Sequence, residues 1–137
     1  MSRHVVATVD EIPPGQRKIV SVARRSIGVF NVGGEFFALR NQCPHEGGPL
    51  CEGLLTGEVR SGGPGHYDYG RRGEMLRCPW HQWEFDVRTG RSWFDPARTR
   101  VRSYQTTVET GAGLVAGPYE AETYRVDVAG EYVVVEV

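Results

Sequence analysis

Apolar residues recur at every second position in a series of short runs along this chain, and that period marks half-buried β-strands rather than helices. The first run covers residues 4–9. Pro13-Pro14-Gly15 ends it, and residues 17–23 and 26–32 follow as two more strands. Gly33-Gly34 is a strong two-residue hairpin signal and returns the chain as a strand over 35–40. Residues 74–78 form a further strand. Residues 82–88 alternate so that Trp83, Phe85 and Val87 share one face. Strands are also expected over 101–109, 122–128 and 131–137, the last two as a hairpin with Ala129-Gly130 at its tip. The unbroken Val133-Val134-Val135 suggests a final strand buried on both faces. Two glycine-rich stretches, 57–73 and 110–121, break the alternation and are expected to be loops, the first as an insertion. No segment predicts a helix. The pattern is that of an all-β protein.

Length and composition narrow the picture. The chain has 137 residues, enough for one domain with a real core. Its formal net charge of −1 gives no general attraction to nucleic acid or to an anionic membrane. The first residues lack the apolar centre of a signal peptide, and no run approaches the roughly 20 apolar residues of a membrane span. Charge is uneven along the chain. Residues 103–137 carry only Arg125 against six acidic groups, and the arginines at 88, 91, 98, 100 and 102 crowd one region. They form either a basic rim for docking or ordinary surface charge.

The candidate chemistry lies in two runs, Cys43-Pro44-His45 and Cys78-Pro79-Trp80-His81, with 32 residues between His45 and Cys78. Each offers one thiolate and one imidazole, a soft donor set suited to iron–sulfur or zinc rather than magnesium or calcium. A zinc site would use the same residue types, but the usual zinc-finger order places the two cysteines before the two histidines. Here each arm mixes one of each. Gly47-Gly48-Pro49 beside the first run supplies tight turns where backbone must pass close to a metal. Cys51 is left over. It has no partner for an internal disulfide, which fits a reducing cytoplasm.

The runs C-P-H-E-G-G-P-L-C-E-G and C-P-W-H-Q-W-E-F-D, the second followed by Thr89-Gly90, resemble the two cluster-binding loops of the Rieske iron–sulfur family. The resemblance covers most of the chain. It implies an antiparallel β-sandwich with a small cluster-binding subdomain, within a single domain over 1–137 whose cluster-binding part spans about 41–97. It further implies one [2Fe–2S] cluster, with Cys43 and Cys78 on one iron and His45 and His81 on the other.

High-potential members of that family carry C-x-x-H-G-S, whose serine bonds a cluster sulfur, and a disulfide that braces the loops. Gln82 and Trp83 stand in those positions here and Cys51 is alone, so a low potential is expected. The large iron domain of an oxygenase does not fit in this length. The resemblance therefore implies a cytoplasmic ferredoxin that moves one electron from a reductase to a terminal oxygenase or oxidase, with no catalytic residue of its own. A small Rieske subunit of a reductase such as nitrite reductase, or a metal-stabilised module without redox function, would share the motifs.

Overall fold

The computed structural model describes residues 3–44, 47–63, 66–80, 83–92, 99–116 and 126–137, with side chains of 56–73, 115 and 116 outside that description. The chain divides into two compact units, one of residues 1–38 and 103–137 and the other of residues 39–102.

In the first unit the chain runs through β1 (Arg3–Thr8), a 3₁₀ turn (Val9–Glu11), β2 (Arg17–Val22), β3 (Arg25–Val32) and β4 (Glu35–Arg40). Here β4 continues two residues into the second unit. The first unit resumes with β8 (Ser103–Thr110), the short helix α1 (Gly111–Ala116) and β9 (Glu131–Glu136). The six strands form one sheet in the order β1-β9-β8-β4-β3-β2. β1 and β2 are its two ends, and in a flat sheet they would lie five strand spacings apart, about 24 Å. Instead Val6 and Ala7 of β1 and Val22 of β2 share one buried core with Ile27, Val29, Phe36 and Val133. Lys18 Nζ on β2 donates to the Val6 carbonyl at 3.0 Å. The sheet is therefore folded over on itself, as the expected sandwich requires.

Both faces of β9 are covered. Val133 and Val135 enter the main core, while Tyr132 and Val134 pack with Val5 and Leu114 in a second cluster. Leu114 belongs to α1, in a stretch expected to be a loop. The helix exists because it lays one apolar side chain over the outer face of β9, and tertiary packing outweighs its two glycines. The expected strand 122–128 is not seen as such: 122–125 lie outside the described residues, and 126–128 lead into a turn in which the Gly130 amide donates to the Asp127 carbonyl at 3.0 Å.

The second unit contains β5 (Leu54–Gly63), β6 (His66–Arg77) and β7 (Glu84–Asp86), in a three-stranded antiparallel sheet of that order. Residues 57–63 and 66–73 of the stretch expected to be a loop thus belong to two paired strands. Their register shifts between Thr56 and Glu58, where residues 71–74 of β6 face a single residue of β5. That irregularity is why no clean alternation runs through them. The core of this unit holds Leu39, Leu50, Cys51, Met75, Leu76, Phe85, Val87 and Val101, all buried. No helix among the described residues is long and apolar enough to cross a membrane.

Candidate metal centre

Two loops of the second unit carry the candidate ligands, and they are closed in the same way. The Cys43 amide donates to the Gly48 carbonyl at 2.8 Å, and the Cys78 amide donates to the Trp83 carbonyl at 2.7 Å. In each loop the cysteine bonds the residue five positions on, so the histidine of each motif falls inside the closed segment. His45 and His81 themselves lie outside the described residues. The first loop is tightened further by the Gly47 amide, which donates back to the Cys43 carbonyl at 2.7 Å. Gly47 does this with φ +79°, a conformation glycine adopts without cost.

The loops also touch each other. A Cβ added to Gly48 would lie 2.8 Å from the Trp80 indole, closer than any real contact. At the base of the first loop a Cβ on Gly53 would lie 1.8 Å from the Arg77 carbonyl oxygen, at the end of β6. Glycine at these two positions lets the two arms approach. A third loop follows β7, where the Gly90 amide donates to the Asp86 carbonyl at 2.7 Å and the Val101 amide to the Gly90 carbonyl at 2.8 Å.

Cys43 and Cys78 are buried, and no disulfide joins any of the three cysteines. Two thiols held in the interior at the mouths of two closed loops fit a thiolate-bound metal centre. Cys51 is equally buried but is occupied otherwise. Its Sγ donates to the Leu39 carbonyl at 3.5 Å, and its amide donates to Asn41 Oδ1 at 2.8 Å. It ties the first loop to the end of β4, a role the sequence gives no sign of. Trp80 is more than half exposed and rests against Gly48 on the rim. His66 begins β6. No group of three or more His, Cys, Asp or Glu converges among the described residues, which do not include His45 and His81.

Comparison with known proteins agrees with this geometry. The model of the Rieske [2Fe-2S] domain matches residues 2–105. The chain is 34% identical to the biphenyl dioxygenase ferredoxin subunit of Pseudomonas sp. (strain KKS102) over 74% of its length and 80% of the relative's. It is 30% identical to the 3-phenylpropionate/cinnamic acid dioxygenase ferredoxin subunit of Photorhabdus laumondii, covering 81% and 90%. Among solved structures, the ferredoxin of carbazole 1,9a-dioxygenase from Nocardioides aromaticivorans shares the fold with a TM-score of 0.62 at 23% identity, over 97% of both chains. A ferredoxin chain in a complex with the oxygenase of carbazole 1,9a-dioxygenase aligns with a TM-score of 0.59 at 21% identity, over 96% of this chain and 91% of that one.

The fold and the two loops define an iron–sulfur protein of the all-β class. The chain belongs to the Rieske [2Fe-2S] domain family, whose members hold one [2Fe–2S] cluster.

Proposed function

We propose that the chain is a Rieske-type ferredoxin that takes one electron from a reductase and passes it to a terminal oxygenase or oxidase. In this reading Cys43 and Cys78 bind one iron and His45 and His81 the other. The two units belong to one domain, with the cluster held within about 41–97. The carrier works in the cytoplasm, in keeping with three cysteines that form no disulfide. The observation that carries the reading is the matched pair of loops, each closed by its own buried cysteine across a segment whose sequence includes a histidine. The relatives named as ferredoxin subunits of dioxygenases support it, and so does the solved complex of a similar ferredoxin with an oxygenase.

The cluster supplies a site that gains and loses one electron. The protein's part is to hold it, to set its surroundings and to present it. The amides of Cys43, Gly47 and Cys78 are committed to loop closure and hold the backbone on which the ligands stand. Burial of Cys43 and Cys78 keeps water from the sulfur side. No side chain acts as acid, base or nucleophile.

The test is reconstitution. Purified holoprotein, a flavoprotein reductase with NADH, and an oxygenase of the biphenyl dioxygenase type should together turn over substrate, and omission of this chain should stop turnover. A holoprotein that the reductase cannot reduce would contradict the carrier reading.

A further inference from the structure

Beside the first loop the second unit has an open cleft of about 480 Å³, lined by Arg40, Gln42, Cys43, Pro44, Arg100 and Arg102 among others. The three arginines come from places 60 residues apart in the chain. They are brought together by the Arg40 amide, which donates to the Arg102 carbonyl at 2.9 Å and lays the end of β4 against the segment before β8. All three are exposed. The cleft also reaches the first cluster loop, at the proposed iron ligand Cys43.

This local charge opposes that of the chain. Over residues 39–102 ten arginines face eight acidic residues, a balance of +2, while the remaining residues hold six basic groups against nine acidic ones, a balance of −3. Two of the eight carboxylates, Glu84 and Glu74, are paired with Arg77 and Arg88 at 2.8 and 2.6 Å. Among the described residues that line the cleft, the charged side chains are Arg40, Arg100 and Arg102, so positive charge gathers beside the proposed electron site of a chain that is slightly negative as a whole. Guanidinium groups are suited to carboxylates, which they bind in a planar two-point fork.

We propose that this tri-arginine cleft is the docking site for an acidic surface of a redox partner, seating carboxylates of that partner against Arg40, Arg100 and Arg102 next to the first cluster loop. The proposal rests on the electron-carrier reading and names the chemistry of the surface that carrier would meet. Opposite charge at the point of contact speeds encounter, by tenfold or more at low ionic strength in steered systems. It also turns the partner so that its own redox centre faces the loop.

Two probes test it on the intact holoprotein. The first is a fluorescently labelled hexa-aspartate peptide, titrated by anisotropy at about 0.01 M salt, where the Debye length is near 30 Å. The second is oxidation of the dithionite-reduced holoprotein in a stopped-flow instrument by anionic hexacyanoferrate(III) or cationic hexaammineruthenium(III). Each oxidant accepts one electron from the reduced protein, and no bond or proton moves. Arg40→Gln/Arg100→Gln/Arg102→Gln is compared with Arg24→Gln, which lies in the other unit in the turn between β2 and β3.

The expected result is peptide binding that weakens about tenfold or more in the triple variant and is unchanged in Arg24→Gln. Oxidation by hexacyanoferrate(III) slows about tenfold in the triple variant, while oxidation by the ruthenium complex does not slow. Both differences vanish near 1 M salt, where the Debye length is about 3 Å. Unchanged visible absorbance of the triple variant shows that the fold and cluster survive. Equal peptide binding by the parent and triple variant, or peptide binding without any effect on anionic oxidation, would overturn the proposal while leaving the carrier reading in place. A colourless protein would instead overturn the carrier reading.

Discussion

Gly48 and Trp80 lock the two cluster loops together: the indole lies where the side chain of any other residue at 48 would begin. One loop supplies the gap and the other fills it. The contact matters because the two proposed ligand pairs sit on separate arms, and the arms must be held at one spacing to share one cluster. Gly48→Ala should lower stability by roughly 1–3 kcal/mol through overpacking and lower iron content per chain. In a Trp80→Ala background the same substitution should cost much less, because the two sites act as a coupled pair. Thermal unfolding of the four proteins of this cycle checks the point, and additive losses would show that the contact is not what joins the loops.

The three cysteines should behave in two different ways. Cys43→Ser and Cys78→Ser are each expected to remove visible absorbance and most bound iron. Cys51→Ala should keep both and lose only stability, by about 1–2 kcal/mol, for the vacated space and the lost bond to Leu39. Iron and sulfide analysis beside chemical denaturation separates these outcomes. Loss of iron in Cys51→Ala with Cys43→Ser unaffected would require a different ligand set.

Turns in the first unit hold a reserve of stability. Ala23 and Arg24 form the two-residue connection between β2 and β3 with φ +48° and +64°. Gly33 and Gly34 make the next hairpin turn at +61° and +95°. Only the second pair suits that conformation, since left-handed backbone costs a residue with a Cβ about 1–2 kcal/mol. Replacing Ala23-Arg24 by Asn-Gly should therefore stabilise the protein by about 1 kcal/mol, read as a raised Tm with unchanged absorbance. A lowered Tm would mean that the side chains at 23 and 24 contribute more than the backbone strain removes.

Asn31 anchors the neighbouring turn from inside. It is buried, its Nδ2 donates to the Ile12 carbonyl at 2.8 Å, and its Oδ1 accepts from the Gly34 amide at 2.8 Å. Asn31→Leu leaves both backbone groups without that partner and should cost about 2–4 kcal/mol, one to three for each group in part offset by solvent. Denaturant unfolding measures it. A cost under about 0.5 kcal/mol, typical of a surface change, would show that water replaces the side chain fully.

Much of the architecture was legible because the strands of the first unit alternate cleanly. The strand over 35–40 and the Gly33-Gly34 turn are found where the pattern puts them. The strand of residues 131–136 is buried on both faces, as its three valines imply, but the element covering the second face was hidden. Helix α1 contains two glycines and packs through Leu114, a tertiary effect that local sequence does not report. The ribbon of 57–63 and 66–73 was hidden for a related reason. Its two strands pair with each other across a register shift, so neither shows the period of a strand laid on a core. Cys43 and Cys78 could be picked out by their motifs, and the structure places both in the interior. Their histidines lie outside the described residues, so the ligand set remains a proposal. The arginine cleft was half visible. Arg100 and Arg102 stand out in a basic run, but Arg40 joins them only through folding.

In the proposed ligand set one iron is held by two cysteine sulfurs and the other by two imidazoles. Mössbauer spectroscopy of the oxidised protein, enriched in iron-57 and kept under anaerobic conditions, tests this directly. Two quadrupole doublets of equal area are expected, one for each iron environment. A single doublet, from two irons with the same ligands, would contradict it, as would a preparation without bound iron.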